Sequence, residues 1–251
     1  MKIRKIGIIG GSGLEKLNLF EKSEYLDIQT EYGHPSSTIL QADYSGIEVF
    51  IISRHGYEHT IPPSQINNRA NIKALEVLGC ELIIATTACG SLRDDIAPGD
   101  LVFPNQIIDF TRFRKNTFFE SFEEGEMKHT PFADPFHKGF IKELAEIARS
   151  NGIVSHQEKT LITIEGPRFS SRAESLMFRA WGADIINMST APEVILANEL
   201  AIPYVALAMS TDYDCWKTDV DAVTAEEVLS TFRSNASNVT DILAKFLEKQ
   251  V

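Results

Sequence analysis

Residues 203–216 carry the sequence Pro203-Tyr204-Val205-Ala206-Leu207-Ala208-Met209-Ser210-Thr211-Asp212-Tyr213-Asp214-Cys215-Trp216. The apolar run 203–209 is bounded by turn signals, which is typical of a strand buried within a parallel sheet. Asp212 and Asp214 follow where this strand ends. Because ligands of open α/β sheets bind at the carboxyl ends of strands, the stretch predicts both the fold class and the place of the site.

The two acids, Asp212 and Asp214, are separated by one residue, so a continued strand would point both side chains to one side of the sheet. Like charges held that close resist ionising together, and one carboxyl then keeps its proton above the ordinary Asp pKa of ~3.9. Such a pair donates one hydrogen bond and accepts another, which suits the edge of an aminopurine. Spacing alone favours a simpler interpretation, in which the acids belong to a solvated loop.

The composition is that of an ordinary globular protein, with 251 residues of which 43% are hydrophobic and 24% charged. The net charge of −11 argues against a nucleic-acid or anionic-membrane surface, because both require basic patches. We therefore expect neither a nucleic-acid nor a membrane partner. A small anionic substrate is compatible with this charge if its site is a local exception.

The three cysteines, Cys80, Cys89 and Cys215, are odd in number and lack a Cys-x-x-Cys spacing. This pattern predicts no disulfide framework and no zinc ribbon, and it indicates a reduced, cytoplasmic setting. The apolar run at residues 6–9 is too short for a signal peptide, and no longer run suits a membrane span.

Strand-like and helix-like segments alternate, which predicts one α/β domain over residues 1–251 with a central mixed, largely parallel sheet flanked by helices. Strands are predicted at 3–9, 38–44, 47–53, 82–88, 101–109, 160–164, 184–188 and 203–209. Helices are predicted at 64–78, 136–151, 171–181 and 192–200, and a capping box at 224–227 opens a last helix. The polar, phenylalanine-rich segment 110–136 is predicted to be a long functional loop or a partner-facing flap.

A glycine-rich segment, Gly10-Gly11-Ser12-Gly13, follows the first predicted strand. It is not a dinucleotide fingerprint, because Lys16 stands where the third glycine belongs. Its backbone N–H groups and the Ser12 hydroxyl are suited to phosphate oxygens. A tight strand-to-helix turn explains the same residues equally well.

The segment His55-Gly56-Tyr57-Glu58-His59 matches the His-x-x-Glu-His pattern of one zinc-protease class. That chemistry needs a helix, and none fits between Ser53 and Pro62, so no zinc site is expected. Arg54 and His55 are interpreted instead as a cationic corner, in which arginine offers a bidentate fork to phosphate. As a surface pair they would carry no function.

Small polar residues also end another predicted strand, in the segment Thr86-Thr87-Ala88-Cys89-Gly90. Each such strand end is a weak signal when taken alone. Together with the pair of acids, they suit a ligand with a phosphate at one end and a polar heterocycle at the other.

Seven stretches of the chain, taken together, resemble the trimeric purine nucleoside phosphorylase family, and its methylthioadenosine phosphorylase branch most of all. They are Gly7-Ile8-Ile9-Gly10-Gly11-Ser12-Gly13-Leu14, Arg54-His55-Gly56, Thr86-Thr87-Ala88-Cys89-Gly90-Ser91-Leu92, Thr163-Ile164-Glu165-Gly166-Pro167-Arg168-Phe169-Ser170-Ser171-Arg172-Ala173-Glu174-Ser175, Trp181-Gly182-Ala183-Asp184, Ile186-Asn187-Met188 and Thr211-Asp212-Tyr213-Asp214-Cys215-Trp216. The resemblance implies a phosphorylase/hydrolase-like fold. It also implies phosphorolysis, in which orthophosphate attacks the anomeric carbon of a purine nucleoside and the free base leaves.

The same resemblance implies roles for individual residues. Phosphate would be held by Ser12, Arg54, His55, Thr87 and Ser189. The nucleoside would be contacted by Ala88, Phe169, Ser170 and Met188, with Asp212 acting on N7 of the base and Asp214 on its amino group. The 5′ substituent would meet Ala225, Val228 and Leu229, with His129 supplied by a neighbouring subunit. No metal and no cofactor is implied beyond phosphate as co-substrate, and the assembly would be a homotrimer or a dimer of trimers.

Asp212 distinguishes the branches of this family. Relatives that act on 6-oxopurines carry asparagine there, whose amide donates to a carbonyl, whereas a carboxylate favours a 6-amino group. A mismatch at a buried polar site costs ~10⁴–10⁵ in discrimination, so adenine is the expected base. Ala225 is smaller than the usual valine, which leaves room for the 5′-hydroxyl of adenosine.

Three alternatives to this function stay open on the sequence. Within the same fold, the chain could be a 6-oxopurine or methylthioinosine phosphorylase. A non-catalytic nucleoside-binding relative is the second alternative. A dinucleotide oxidoreductase is the third, and the broken glycine fingerprint disfavours it.

Overall fold

The structure, a computed structural model, describes residues 2–10, 23–219 and 225–251, with the backbone alone at 225–230 and 232–235. Its strands are β1 (Lys5–Gly10), β2 (Ser23–Leu26), β3 (Ile39–Tyr44), β4 (Ile47–Ser53), β5 (Leu82–Ser91), β6 (Leu101–Phe110), β7 (Ser155–Ile164), β8 (Ile185–Asn187) and β9 (Tyr204–Tyr213). Its helices are α1 (Asn68–Val77), α2 (Lys138–Ser150), α3 (Arg172–Ala180), α4 (Thr190–Glu199) and α5 (Ala225–Gln250).

All nine described strands belong to one sheet in the order β2-β3-β4-β1-β5-β8-β7-β6-β9, and β5 also pairs with β9. The additional pairing closes five strands, β5-β8-β7-β6-β9, into a ring, while the other four form an open wing. Closure leaves β9 without a free edge, which protects it from pairing with other chains.

The sheet is mixed, as predicted. Pairing is parallel for β1–β4, β1–β5, β5–β9, β6–β7 and β7–β8, and antiparallel for β2–β3, β3–β4, β5–β8 and β6–β9. Because β1, β4, β5 and β9 run in one direction, their carboxyl ends lie at the same edge of the sheet. Arg54 and His55 follow β4 and Asp214 follows β9, whereas Thr87 and Asp212 lie within β5 and β9, and Ser189 follows β8.

The predicted elements are found, but several bounds differ, and β7, for example, begins at Ser155 and not at residue 160. Strand β2 has no predicted counterpart, because its sequence Ser-Glu-Tyr-Leu is exposed and shows no buried apolar run. Helix α1 begins at Asn68, not Ser64, since residues Pro63–Gln65 form a separate 3₁₀ helix. The capping box expected at 224–227 lies outside the described residues and side chains.

Two helices carry the N-terminal caps that their sequences favour. The Asn67 side chain accepts a hydrogen bond from the Ala70 N–H at 3.2 Å and begins α1. Ser171 and Glu174 form a reciprocal capping box that begins α3. Both caps satisfy backbone donors that the first helical turn leaves without intrahelical partners.

In the described residues, the largest of three hydrophobic clusters packs α1, α2, α4 and α5 against the sheet, and α3 packs in a smaller one. The largest cluster includes Ile8 of β1, Ile51 of β4, Leu75 of α1, Val205 of β9 and Phe246 of α5. Each of these side chains is at most 2% exposed. In the described residues, no helix is long and apolar enough to cross a membrane.

The segment between β6 and α2 contains neither helix nor strand, as predicted for 110–136. It is nevertheless fastened to the body of the protein. Glu199 accepts hydrogen bonds from the Thr117 hydroxyl at 2.6 Å and the Phe118 N–H at 2.7 Å. The side chain of Arg114 is 2% exposed and reaches the end of β7 and the start of α4.

Candidate active site

The two acids lie in the interior, not in a solvated loop. Strand β9 continues through Tyr213, two residues beyond its buried part. Asp212 is half-buried, and Asp214 is only 5% exposed. The interpretation as a solvated acidic loop is therefore wrong.

A β-bulge sets the direction of the acids. Cys89 of β5 pairs with Ser210, but Gly90 pairs with Asp212, so Thr211 is an extra residue on β9. A Cβ atom placed on Gly90 would lie 3.1 Å from Asp212 Oδ2 and 3.5 Å from Asp214 Cβ. Both acids thus lie on the Gly90 side of the strand, as the period of two predicted.

The pKa of Asp214 is raised, and burial is its main cause. The negative charge of Glu174 adds to the same direction. A raised pKa was predicted for one acid of the pair, but the predicted cause was the neighbouring carboxylate. The dominant cause is desolvation, which disfavours the charged form of any buried carboxyl.

Unsatisfied polar atoms surround Asp214. The hydroxyls of Ser170 and Ser175 and the backbone N–H of Cys215 lie close enough to the Asp214 carboxyl to oppose the effect of burial on its pKa. Within the described part of the chain, however, Asp214 Oδ2 and the two hydroxyls make no hydrogen bond of ordinary geometry. An unpaired buried polar group costs about 1–3 kcal/mol. Such a group is an acceptor or donor that a bound ligand could satisfy.

Thr211 is one partner of Asp212. Asp212 Oδ1 accepts a hydrogen bond from the Thr211 hydroxyl at 2.7 Å. The other oxygen, Oδ2, lies beside Gly90, where the absence of a side chain leaves space. Asp212 can therefore approach a ligand over the surface of β5.

A cluster of hydroxyls lies further back along β5. The Oγ atoms of Thr87 and Ser189 are 2.8 Å apart, and both side chains are buried. Asn187 Nδ2 donates to Thr190 Oγ1 at 2.7 Å and to Thr87 Oγ1 at 3.2 Å. In turn, Asn187 Oδ1 accepts from Thr163 Oγ1 at 2.8 Å. Two residues predicted to bind phosphate are thus brought together by an amide to which the sequence assigned no role.

Arg54 does not present a free fork. Its Nε and NH2 atoms both donate to the carboxylate of Glu193, the latter at 3.1 Å. NH1 donates to the Thr86 carbonyl at 2.9 Å, and NH2 also donates to the Ile9 carbonyl at 3.3 Å. The two N–H groups expected to bind phosphate in a bidentate manner bind the carboxylate of Glu193 instead.

His55 is not part of a cationic corner. Burial and the nearby charge of Arg54 lower its pKa to about 4, so the ring is neutral at pH 7. Its Nδ1–H donates to the Ile61 carbonyl at 2.8 Å. The prediction of a positively charged His55 is therefore wrong.

The segment His55–His59 lies on turns. The sequence predicted that no zinc-protease helix forms here, and none is found in this segment. The two rings stack with centroids 4.4 Å apart. Among the residues that the structure describes, no group of three or more His, Cys, Asp or Glu side chains is arranged to hold a metal ion.

Among the remaining nucleoside-binding candidates, Ser170 contacts the segment that carries the acids. Phe169 is 44% exposed and precedes Ser170, whose carbonyl accepts from the Cys215 thiol at 3.3 Å. Met188 packs on Gly166, where an added Cβ would lie 2.6 Å from Met188 Sδ. Ala88 is half-buried on β5, between the hydroxyl cluster and Gly90.

Five candidates are not placed against the site. Ser12 lies outside the described residues, and Ala225, Val228 and Leu229 belong to the part of α5 described by its backbone alone. His129 is exposed on the long loop, where its ring contacts Phe122 with centroids 5.9 Å apart. It lines a groove of about 550 Å³ together with Ile195 and Glu199.

Sequence reasoning missed Glu193 and Arg114 as well as Asn187. Glu193 is fully buried in a helix whose other residues are mostly apolar, and an acid in such a run is a readable signal. Arg114 donates to the Ala191 carbonyl at 2.8 Å and to the Glu165 carbonyl at 2.7 Å. No local pattern distinguishes it from the other charged residues of the loop.

Strand β5 carries both ends of the candidate site. Thr87 lies in the hydroxyl cluster and Gly90 lies between the acids. Three residues of a strand span about 10 Å. The arrangement therefore offers hydroxyl donors at one end, carboxyl groups at the other and a half-buried alanine between them.

The chain is similar to known phosphorylases. A sequence model of the phosphorylase superfamily matches residues 5–248. S-methyl-5'-thioadenosine phosphorylase from Xenopus tropicalis is 48% identical over 242 residues, which cover 95% of this chain and 86% of that protein. The protein of the same name from Ciona intestinalis is 46% identical over 97% of this chain and 88% of that one.

Solved structures show the same relationship. Methylthioadenosine phosphorylase from Schistosoma mansoni in complex with adenine superposes with a TM-score of 0.90 at 40% identity, covering 97% of this chain and 91% of that chain. The same protein in complex with tubercidin superposes with a TM-score of 0.88, also at 40% identity, covering 97% of this chain and 90% of that chain.

Proposed function

Because the chain belongs to the S-methyl-5'-thioadenosine phosphorylase family of the phosphorylase superfamily, we propose that it catalyses phosphorolysis of S-methyl-5'-thioadenosine. The products are adenine and 5-methylthioribose 1-phosphate, which makes the reaction a step of purine and methionine salvage. One observation supports this function above the others. Two acids meet at Gly90, and Thr87, whose hydroxyl is 2.8 Å from that of Ser189, lies three residues earlier on the same strand, a rise of about 10 Å.

At the base end, we assign the chemistry to the acids. Cleavage of the bond between the anomeric carbon and N9 leaves its electron pair on the purine, which must be neutralised as it departs. Asp212 protonates or hydrogen-bonds N7, and Asp214 Oδ2 accepts from the 6-amino group. General-acid assistance of this kind contributes about 10²–10⁴ in rate.

At the other end, the hydroxyls of Thr87 and Ser189 hold the attacking phosphate, and one N–H of Arg54 is directed toward it. Ser12 and His55 complete this proposed set. Met188 lies against the sugar, Ala88 lines the base pocket, and Phe169 stacks on the purine with Ser170 nearby. Holding phosphate in line with the departing base contributes through positioning and electrostatics.

The base and the 5′ substituent follow from the relatives. The protein from Schistosoma mansoni was crystallised with adenine and with tubercidin, which supports adenine as the base and adenosine as a further substrate. Around the 5′ position we assign Ala225, Val228 and Leu229, and His129 from a neighbouring subunit. The cofactor requirement is limited to phosphate as co-substrate.

A second candidate is a 6-oxopurine or methylthioinosine phosphorylase. The direction of the pKa shift of Asp214 is compatible with it, because burial favours the neutral form of a carboxyl, and the neutral form can donate a hydrogen bond to a 6-oxo group. The family relatives named above favour the adenine-directed reaction.

We further propose that residues 1–251 form one nucleoside phosphorylase domain, which is supported by a largest hydrophobic cluster with members from Ile3 to Leu247. The assembly is a homotrimer or a dimer of trimers, and the location is cytoplasmic. Small molecules, not nucleic acids or membranes, are the partners.

The deciding experiment compares turnover of methylthioadenosine, adenosine, methylthioinosine and inosine, each with and without phosphate. We expect release of adenine from the first two, and only when phosphate is present. Release of hypoxanthine from the inosine pair alone would establish the second candidate. Base release that ignores phosphate would refute phosphorolysis.

A further inference from the structure

We propose that Glu193 is a positioning residue that fixes the guanidinium of Arg54 in one orientation at the phosphate end of the site. The inference rests on the proposed function, since it assigns Arg54 to phosphate. Glu193 does not contact the substrate in this proposal. It acts through the arginine.

The contacts between the two side chains are complete and buried. Arg54 is 2% exposed and Glu193 is 0% exposed. Both carboxylate oxygens are used, because Oε1 accepts from Nε and Oε2 accepts from NH2 at 3.1 Å. The Tyr204 hydroxyl also donates to Oε2, at 2.8 Å, and fixes the carboxylate itself.

The pair leaves the guanidinium with one direction for a ligand. Carbonyls of Ile9 and Thr86 accept two further hydrogen bonds from Arg54. Together with Glu193 they account for four of the five N–H groups of the side chain. The fifth belongs to NH1, which lies against the residue that precedes Thr87 of the hydroxyl cluster.

Glu193 also ties Arg54 to the other phosphate-binding groups. Glu193 is four positions after Ser189, whose hydroxyl is 2.8 Å from that of Thr87. Arg114 donates to the Ala191 carbonyl between them at 2.8 Å, and the Ala191 N–H donates to Thr163 Oγ1 at 3.2 Å. The segment that presents Ser189 therefore carries, on the same fixed backbone, the acid that orients Arg54.

Stability does not account for this ion pair. Removing two charges from water costs several kcal/mol per ion, and a buried pair is often no more stabilising than apolar residues of similar volume. A buried acid in an otherwise apolar helix is instead suited to fixing one arrangement. Its charge also offsets that of Arg54, so phosphate is captured through directed hydrogen bonds more than through net charge.

The test is Glu193→Gln, which keeps the volume but replaces one acceptor oxygen by a donor. We expect the phosphate KM to rise about tenfold or more, because the guanidinium loses one of its two anchors. The KM for methylthioadenosine should change less than about twofold. Glu76→Gln is the matched control, since it removes the same charge from an exposed pair with Lys73 at 3.0 Å.

A double-mutant cycle separates positioning from a general effect on folding. In an Arg54→Gln background, Glu193→Gln should leave the phosphate KM unchanged, because Glu193 then has nothing to orient. An equal increase in both backgrounds, or an unchanged phosphate KM in a folded Glu193→Gln enzyme, would overturn the proposal. The wild-type assay with and without phosphate tests the proposed function separately, and its outcome does not depend on either variant.

Discussion

At the scale of single residues, the site depends on how deeply each side chain is buried, and the sequence does not give this burial. The spacing of Asp212 and Asp214 predicted their shared direction, which Gly90 contacts confirm. It could not give their burial, and burial is what raises the pKa of Asp214. His55 shows the same limit, because the cationic corner inferred from Arg54 and His55 is contradicted by the burial of the ring.

Asp212→Asn tests the base end. Turnover of methylthioadenosine should fall about 10²–10⁴-fold, because the amide cannot supply the proton that the departing purine needs. Turnover of methylthioinosine should fall less, since the amide donates to a 6-oxo group. The measurement is kcat/KM for both nucleosides at saturating phosphate.

The control for this substitution is Asp94→Asn, which makes the same change at an exposed acid paired with Lys217 at 2.8 Å. It should leave both values near those of the wild type. Full activity of Asp212→Asn toward methylthioadenosine would remove Asp212 from the chemistry.

His55 predicts how stability depends on pH. Its pKa is lowered from 6.5 to about 4 in the folded state, so the unfolded chain binds more protons between these values. Stability from the neutral ring is complete above pH 6.5 and is lost as the pH falls toward 4. The urea midpoint of His55→Gln should therefore change less between pH 7 and pH 4.5 than that of the wild type.

His129→Gln, at an exposed histidine, serves as the comparison for that experiment. It should lose stability on acidification as the wild type does. If His55→Gln were as sensitive to acid as the wild type, His55 would not be the group that titrates.

At the scale of elements, local signals fixed some bounds closely. The hairpin of β3 and β4 was predicted within one residue, because Ser45 and Gly46 at its turn both have positive φ, at 51° and 85°. Strands β5 and β9 are longer than predicted, since their final residues are polar and an apolar run cannot reveal them. Only the pairing of the two strands shows that they continue.

Gly90→Ala tests the bulge of β5 and β9. The new Cβ would lie 3.1 Å from both Asp212 Oδ2 and Ile186 Cγ2, so the acid must move. We expect kcat to fall by up to about tenfold, because the acid must shift by a few tenths of an ångström and a displacement of about 1 Å costs about 10²-fold. Steady-state kinetics and a thermal melt would show the loss in a protein that remains folded.

Gly139→Ala offers a comparable crowding in α2, 3.1 Å from His137 Cε1, and should leave kcat unchanged. Wild-type turnover by Gly90→Ala would mean that the acids do not approach a ligand over β5.

At the scale of the whole molecule, the alternation of strands and helices was enough to predict a mixed α/β sheet. The closure of five strands was not predictable, because β5–β8 and β6–β9 join segments far apart in the sequence. The same holds for Glu193 with Arg54, which are 139 residues apart. Local sequence patterns therefore do not predict which distant segments pair with each other.

Among the described residues, the large apolar side chains with the highest exposed fractions belong to the long loop, with Phe113 83% exposed and Met127 75% exposed. Apolar surface on a fastened loop is typical of an interface between proteins. For the proposed trimer, Met127→Glu should lower the mass measured by light scattering and reduce turnover, because His129 then leaves the neighbouring site. Val154→Glu, at a residue 61% exposed outside this loop, should change neither. An unaltered mass for Met127→Glu would place the interface elsewhere.

Because Thr87 and Gly90 belong to one strand, the rise of its backbone sets the distance between the groups proposed to hold the nucleophile and the leaving group. An inhibitor built to this molecule would join an anionic head to an adenine-like ring through a spacer of that same length. Shortening or lengthening the spacer by a single methylene should lower the affinity steeply. Strand β5 is paired with other strands on both sides, so its two ends cannot move to follow the ligand.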